Sequence, residues 1–120
     1  MSDDNNFLPF NPPKQLFEYT GEIMYVYSKN LIAVNVDLGF ATWRRVPIKL
    51  RDVFVPEENG QKFKEFLTNE FKTNNKVLIR GYSYNNDHYE ADLYSQNEFK
   101  TRFYNNMILK AGIGIIDVNG

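Results

Sequence analysis

The sequence predicts an α+β protein, mainly β: a small five-stranded barrel of the oligonucleotide/oligosaccharide-binding (OB) type with two helices. Three observations lead there. Five segments are rich in aromatic and β-branched residues. A segment between the third and fourth of them carries apolar residues at helical spacing. A chain of 120 residues is sized for one core, because two would each be short of buried apolar surface.

Residues 1–16 read as an arm, polar and acidic at its start, with Pro9, Pro12 and Pro13 blocking regular hydrogen bonding and Phe7, Leu8 and Phe10 as its apolar content. Such an arm either lies over the domain surface or docks on a partner; the OB-fold domain is expected over residues 17–120. Phe17 to Tyr27 has Phe17, Tyr19, Ile23, Tyr25 and Tyr27 at odd positions, a period of two that predicts a strand, with Gly21 as a bulge or bend. Leu31 to Val36 is β-prone and runs into Asp37-Leu38-Gly39. Trp43 to Leu50 predicts a third strand with Val46, Ile48 and Leu50 on one face; Pro47, on the other, points to an edge position or a bulge.

Pro56 ends the extended run. Residues 58–73 place Phe63, Phe66, Leu67 and Phe71 at helical spacing, with Lys62, Glu65, Thr68, Asn69 and Lys72 on a solvated face. Lys76 to Tyr84 and Tyr89 to Tyr94 predict a hairpin around the polar turn Asn85-Asn86-Asp87. A last helix is expected near 98–110, with Phe99, Phe103, Met107 and Ile108 inward and Gly112 as its stop. Ile113 to Val118 is an apolar tail expected to pack down.

Composition excludes several classes. An apolar fraction of 42% with 16% aromatic residues is too high for a disordered chain. No apolar run approaches the roughly 20 residues that span a bilayer. The acidic start MSDDNNFLPF lacks the basic region of an export signal, and with no cysteine there is no disulfide or zinc–thiolate chemistry, so a cytoplasmic location is expected. A net charge of −1 gives no overall steering toward nucleic acid.

The chemistry-bearing residues are few. One histidine, His88, rules out paired-histidine metal sites and reads as a surface residue beside the hairpin turn. There is no phosphate-binding glycine loop, and the acids show no calcium-loop spacing. Basic residues cluster modestly: alternation puts Arg45, Lys49 and Arg51 on one side of the third strand and Arg44 on the other. With Tyr82, Tyr84 and Tyr89 on the neighbouring hairpin, they form the candidate surface for single-stranded nucleic acid, where bases stack on rings and phosphates meet cations. The alternative is that the tyrosines pack half-buried and the arginines pair with nearby acids.

Asp37-Leu38-Gly39-Phe40-Ala41-Thr42-Trp43-Arg44-Arg45-Val46, followed by Ile48-Lys49-Leu50 and Val55-Pro56-Glu57, resembles the staphylococcal nuclease (thermonuclease) family. Gly60 with Phe66-Leu67, Ala91-Asp92-Leu93-Tyr94 and Asn106 to Gly112 resemble later segments of that family in the same order, so the likeness spans roughly residues 17–116. It implies an OB-type barrel bearing a calcium site of two aspartates, a glutamate that activates water and two phosphate-neutralising arginines. In this chain the calcium positions fall on Asn30, with Lys29 beside it, and on Phe54. The arginine positions fall on Lys49 and His88, and only the glutamate, Glu57, is retained.

A neutral amide and a phenyl ring cannot replace two carboxylates around a hard cation. Lysine keeps charge without the bidentate fork, and histidine is mostly neutral at pH 7. The resemblance therefore implies a catalytically inactive nuclease-like barrel used as a binding module, with no cofactor. Its partner is a protein, favoured by the neutral net charge, Phe54 and the apolar arm, or single-stranded nucleic acid, favoured by Arg45, Lys49, Arg51 and the tyrosines; no membrane is involved. Two alternatives stand beside it: a metal-dependent nuclease or phosphodiesterase with a rearranged site and calcium as cofactor, and a small viral or mobile-element assembly protein.

Overall fold

The structure, a computed structural model, describes residues 17–28, 30–85, 87–96 and 101–117. The expected arm, Lys29, Asn86, Phe99 and Val118 lie outside the described residues; the last helix, expected near 98–110, begins only at Tyr104, because Phe103 is extended and bridges to Tyr94. The strands are β1 (Phe17–Tyr27), β2 (Leu31–Asp37), β3 (Trp43–Leu50), β4 (Val53–Phe54), β5 (Lys76–Asn85), β6 (His88–Ser95) and β7 (Ile115–Ile116). The helices are α1 (Gly60–Thr73), entered through a short 3-10 turn at Glu57–Asn59, and α2 (Tyr104–Lys110).

Five of the strands close into a barrel in the order β1-β2-β3-β6-β5, with β5 pairing back onto β1. All pairings are antiparallel except β3 with β6, which is parallel over Ile48–Leu50 against Tyr89–Ala91. The two helices and this mixed closed barrel make the fold OB-like and α+β, as the strand order predicts. Pro47 lies just before that parallel ladder begins, on a stretch of β3 that has only β2 beside it. The edge position that a proline demands thus exists locally inside a closed barrel.

Alternation sends one set of side chains inward. Ile23, Val34, Ile48, Leu50, Ile79 and Leu93 are buried there. α1 covers one end of the barrel with Phe63, Leu67 and Phe71, all buried; its solvated face, Lys62, Glu65, Thr68, Asn69 and Lys72, is exposed. The end it covers is where β1 finishes: Ile23 N donates to Asn75 O at 2.8 Å and Lys64 Nζ to the Tyr25 hydroxyl at 2.7 Å. α2 buries Tyr104 and Ile108 against the barrel. It ends at Gly112, whose φ of +75° lets Ile113 N reach back to Ile108 O at 3.2 Å.

Two local expectations are corrected. The irregularity of β1 falls between Ile23 and Tyr25, not at Gly21. Gly21 is needed for close approach instead, since a Cβ there would sit 2.7 Å from Asn35 O. The apolar tail packs down only in part: Ile113 is buried, but Ile115, paired with Phe54, is exposed.

Candidate functional site

The residues nominated for nucleic-acid contact divide into two groups. Arg51 is not presented to solvent; it is buried. The chain leaves β3 at Asp52, whose φ is +56°. Arg51 Nε and Nη2 donate to the two carboxylate oxygens of Asp92 at 2.9 and 3.2 Å, while Nη1 reaches Asp52 at 3.0 Å. Tyr82 belongs to the same cluster: its hydroxyl donates to Asp92 at 3.2 Å and its ring centroid lies 5.1 Å from the guanidinium. Asn105 of α2 closes the cluster by donating to Asp92 at 3.0 Å and accepting from Leu93 N at 3.0 Å.

Burial pushes the Asp92 carboxyl up, against the pull of Arg51 and Tyr82, and burial together with the Asp92 charge pushes the Tyr82 phenol up to about 12. A buried charge pair with its lone pairs satisfied is a structural clamp between β3, β6 and α2. Arg51 and Tyr82 are thereby withdrawn from any ligand surface.

The other group is spread over β3, β5 and β6 and is at least partly exposed. Arg45 is exposed, Tyr84 is exposed with its ring 4.5 Å from that of Tyr89, and Tyr89 is half-buried. Lys49 is half-buried in register with Glu90 on β6.

The positions that the nuclease resemblance singles out fall in separate places. Asn30, at φ +62°, donates from its amide to Val53 O at 3.1 Å, which sets it beside Phe54; its Oδ1 is buried without a hydrogen-bond partner. Phe54 contributes a half-exposed ring and no oxygen. Lys49 and His88 share the outer face of β3 and β6 with Glu90, and His88 Nδ1 lies 2.8 Å from Asp87. Glu57 is exposed, with no hydrogen bond or ion pair joining it to these residues among those described. Among the described residues no three of His, Asp and Glu converge to hold a metal. One buried amide oxygen and a phenyl ring do not fit a calcium ion, which takes six to eight oxygens.

A different site is formed where α1 is absent, at the open end of the barrel. Phe17, Tyr19, Val36, Val46, Ile48, Ile79 and Tyr89 line a cavity of about 230 Å³, with Leu38 and Arg44 at its edge. Phe17 is seated by Gly81: a Cβ there would lie 1.7 Å from the ring, so only glycine lets Phe17 lie across β5 and meet Tyr89 edge-on at 5.7 Å. The β2–β3 turn projects beside this mouth. Thr42 N donates to Gly39 O at 2.9 Å, and the two central residues, Phe40 and Ala41, have φ of +54° and +59°.

That is a primed hairpin turn, which normally takes Asn-Gly. A phenylalanine there is strained, and strain of this kind collects at functional sites. Phe40 is 102% exposed and Trp43 is 46% exposed. Neither Arg44 nor Arg45 has a side-chain hydrogen bond or ion pair among the described residues. The mouth therefore presents apolar walls with Arg44 at their edge, and the turn beside it holds an exposed phenylalanine ring.

Sequence reasoning missed this site. Odd-position alternation puts Phe17 and Tyr19 on the inner face and Arg44 opposite Arg45, but the pattern does not say which barrel end a helix covers. The chain matches no protein-family model and no curated protein.

Proposed function

We propose that this protein is a non-catalytic binding module of the staphylococcal nuclease-like OB type, and that it binds a protein partner at the open mouth of its barrel. The observation that carries the proposal is the mouth itself: an apolar cavity beside a strained hairpin tip that holds Phe40 fully in solvent. Aromatic and arginine side chains around an apolar pocket are the usual anchors of protein interfaces. A cavity of about 230 Å³ is below the roughly 300–1,000 Å³ of small-molecule sites and suits one or two side chains. Replacement of the calcium aspartates by Asn30 and Phe54 supports the absence of nuclease chemistry.

Exposed Trp43 next to Arg44 and Arg45 favours single-stranded nucleic acid as a second reading. A photoreactive phenylalanine analogue at position 40 separates surface from bystander: crosslinks form there and not from position 68 on α1, and equal crosslinking at both contradicts the proposal. Titration of a single-stranded oligodeoxythymidylate at low salt gives no saturable binding. Binding that weakens as salt rises, and is lost in the Arg44→Gln/Arg45→Gln double variant, selects nucleic acid instead.

A further inference from the structure

We propose that the partner at the barrel mouth is a second copy of this chain: each copy inserts Phe40 into the other's cavity, giving a weak two-fold dimer. The inference rests on the mouth being the binding surface, and it names what binds there.

The chain carries both halves of such a contact. The cavity of about 230 Å³ is walled by Val36, Val46, Ile48 and Ile79. An apolar cavity of about 150 Å³ already takes a benzene ring, so this one has room for a phenyl group. Phe40 supplies the ring. It is fully exposed, on a turn whose φ of +54° and +59° at Phe40 and Ala41 holds it in solvent at a cost in strain. Asparagine and glycine make the same turn without that strain, so turn formation does not account for a phenylalanine there.

Knob and hole share one face. Leu38 borders the cavity and stands two residues before Phe40, at most about 7 Å of backbone away, and Arg44 borders it from the other side of the turn. A two-fold axis sets the same patch of both subunits against itself, so a knob beside its own kind of hole closes into a pair; knob and hole on opposite faces give an open chain instead.

The rim suits the same pairing. Arg44 has no side-chain partner among the described residues. Asp37, whose carboxylate accepts from Gly39 N at 2.8 Å, borders the adjoining depression together with Tyr19 and Leu38. A base and an acid on one face let each copy's Arg44 meet the other's Asp37, and a net charge of −1 adds little repulsion between copies. Two inserted rings and their rims make a small interface, so the dimer exchanges with monomer.

Sedimentation of the purified full chain over micromolar to millimolar concentrations shows a monomer–dimer equilibrium with no larger species. Phe40→Asp weakens it at least about tenfold, and Thr68→Asp on the exposed face of α1 leaves it unchanged. Val46→Phe fills the hole and weakens it likewise. Mixing the two impaired variants restores part of the association, because one intact knob then meets one intact hole. A photoreactive phenylalanine analogue at position 40, with isotope-enriched and unlabelled chains mixed, gives crosslinks between chains to the cavity walls, and this reads the contact even where Val46→Phe does not fold. A chain that stays monomeric at millimolar concentration, a dimer that Phe40→Asp leaves intact, or no restoration on mixing the folded variants overturns the second copy as occupant. Crosslinks from position 40 to other proteins of the expressing cell, with none between chains, overturn it too while leaving the mouth a partner site. Absence of crosslinks of either kind sinks both readings.

Discussion

Replacing Arg51 by methionine separates a structural arginine from a ligand-contacting one. The side chain is buried, and it supplies two of the hydrogen bonds that Asp92 accepts, at 2.9 and 3.2 Å. Methionine fills similar space but leaves a carboxylate of zero exposure with Tyr82 and Asn105 alone. Breaking a buried pair from one side costs about 3–5 kcal/mol, a large share of the roughly 5–15 kcal/mol that holds a domain of this size together. With a urea m-value of about 1–3 kcal/mol per molar, the midpoint falls by about 1 M or more.

The penalty also depends on pH. Asp92 keeps its proton to higher pH in the folded chain than in the unfolded one. Its contribution to stability is therefore present at acid pH and is lost as pH rises through the raised folded value. Without Arg51 the folded value rises further, so the variant's penalty is largest near about pH 7 and shrinks toward about pH 4. Urea denaturation of wild type and Arg51→Met at both pH values reads this directly, and Arg51→Met/Asp92→Leu recovers much of the loss. A single-variant penalty below about 1 kcal/mol at neutral pH, or one that grows on acidification, refutes the clamp and returns Arg51 to the list of surface cations.

Three further outcomes follow from the same geometry. Tyr82→Phe removes one of the hydrogen bonds to Asp92 and lowers stability by about 1 kcal/mol in urea denaturation; spectrophotometric titration of wild type shows one phenol that resists ionisation until about pH 12, and its absence from the variant assigns it. Gly81→Ala drives Phe17 off β5 and costs about 1 kcal/mol of half-buried aromatic packing, with loss of the Phe17 to Tyr89 ring contact by NMR; an unchanged contact refutes the seating role. Phe40→Asn/Ala41→Gly raises stability by about 1–2 kcal/mol in urea denaturation, because both positions have left-handed backbone that these residues tolerate. A destabilised variant contradicts the strain assigned to that turn.

Much of the frame was legible in the chain. Period two marks β1 and β3 because each shows one face to the core, β2 and β6 are buried at consecutive positions and are marked by β-prone residues instead, and the spacing of Phe63, Leu67 and Phe71 marks α1. The two-residue strands β4 and β7 leave no such trace, since Val53 and Phe54 extend only by meeting Ile116 and Ile115 from the far end of the chain. Arg51 was misplaced by alternation alone. It follows β3 in phase with Lys49, and the cover supplied by Asp92, Tyr82 and Asn105, all distant in sequence, makes that position an interior one. The mouth was illegible for a related reason: Phe17, Arg44 and Tyr89 become one site through barrel closure, and their separation in sequence carries no hint of it.

The proposal that this OB-like barrel is a nuclease-like module without nuclease chemistry meets its most direct test in one assay. Purified protein is incubated with single-stranded DNA with and without millimolar calcium, and cleavage is followed over hours beside a Glu57→Gln variant. With Asn30, Lys49, Phe54 and His88 at the positions where the resemblance expects calcium ligands and arginines, the proposal predicts DNA that stays intact under every condition. Calcium-dependent cleavage that disappears in Glu57→Gln contradicts the account.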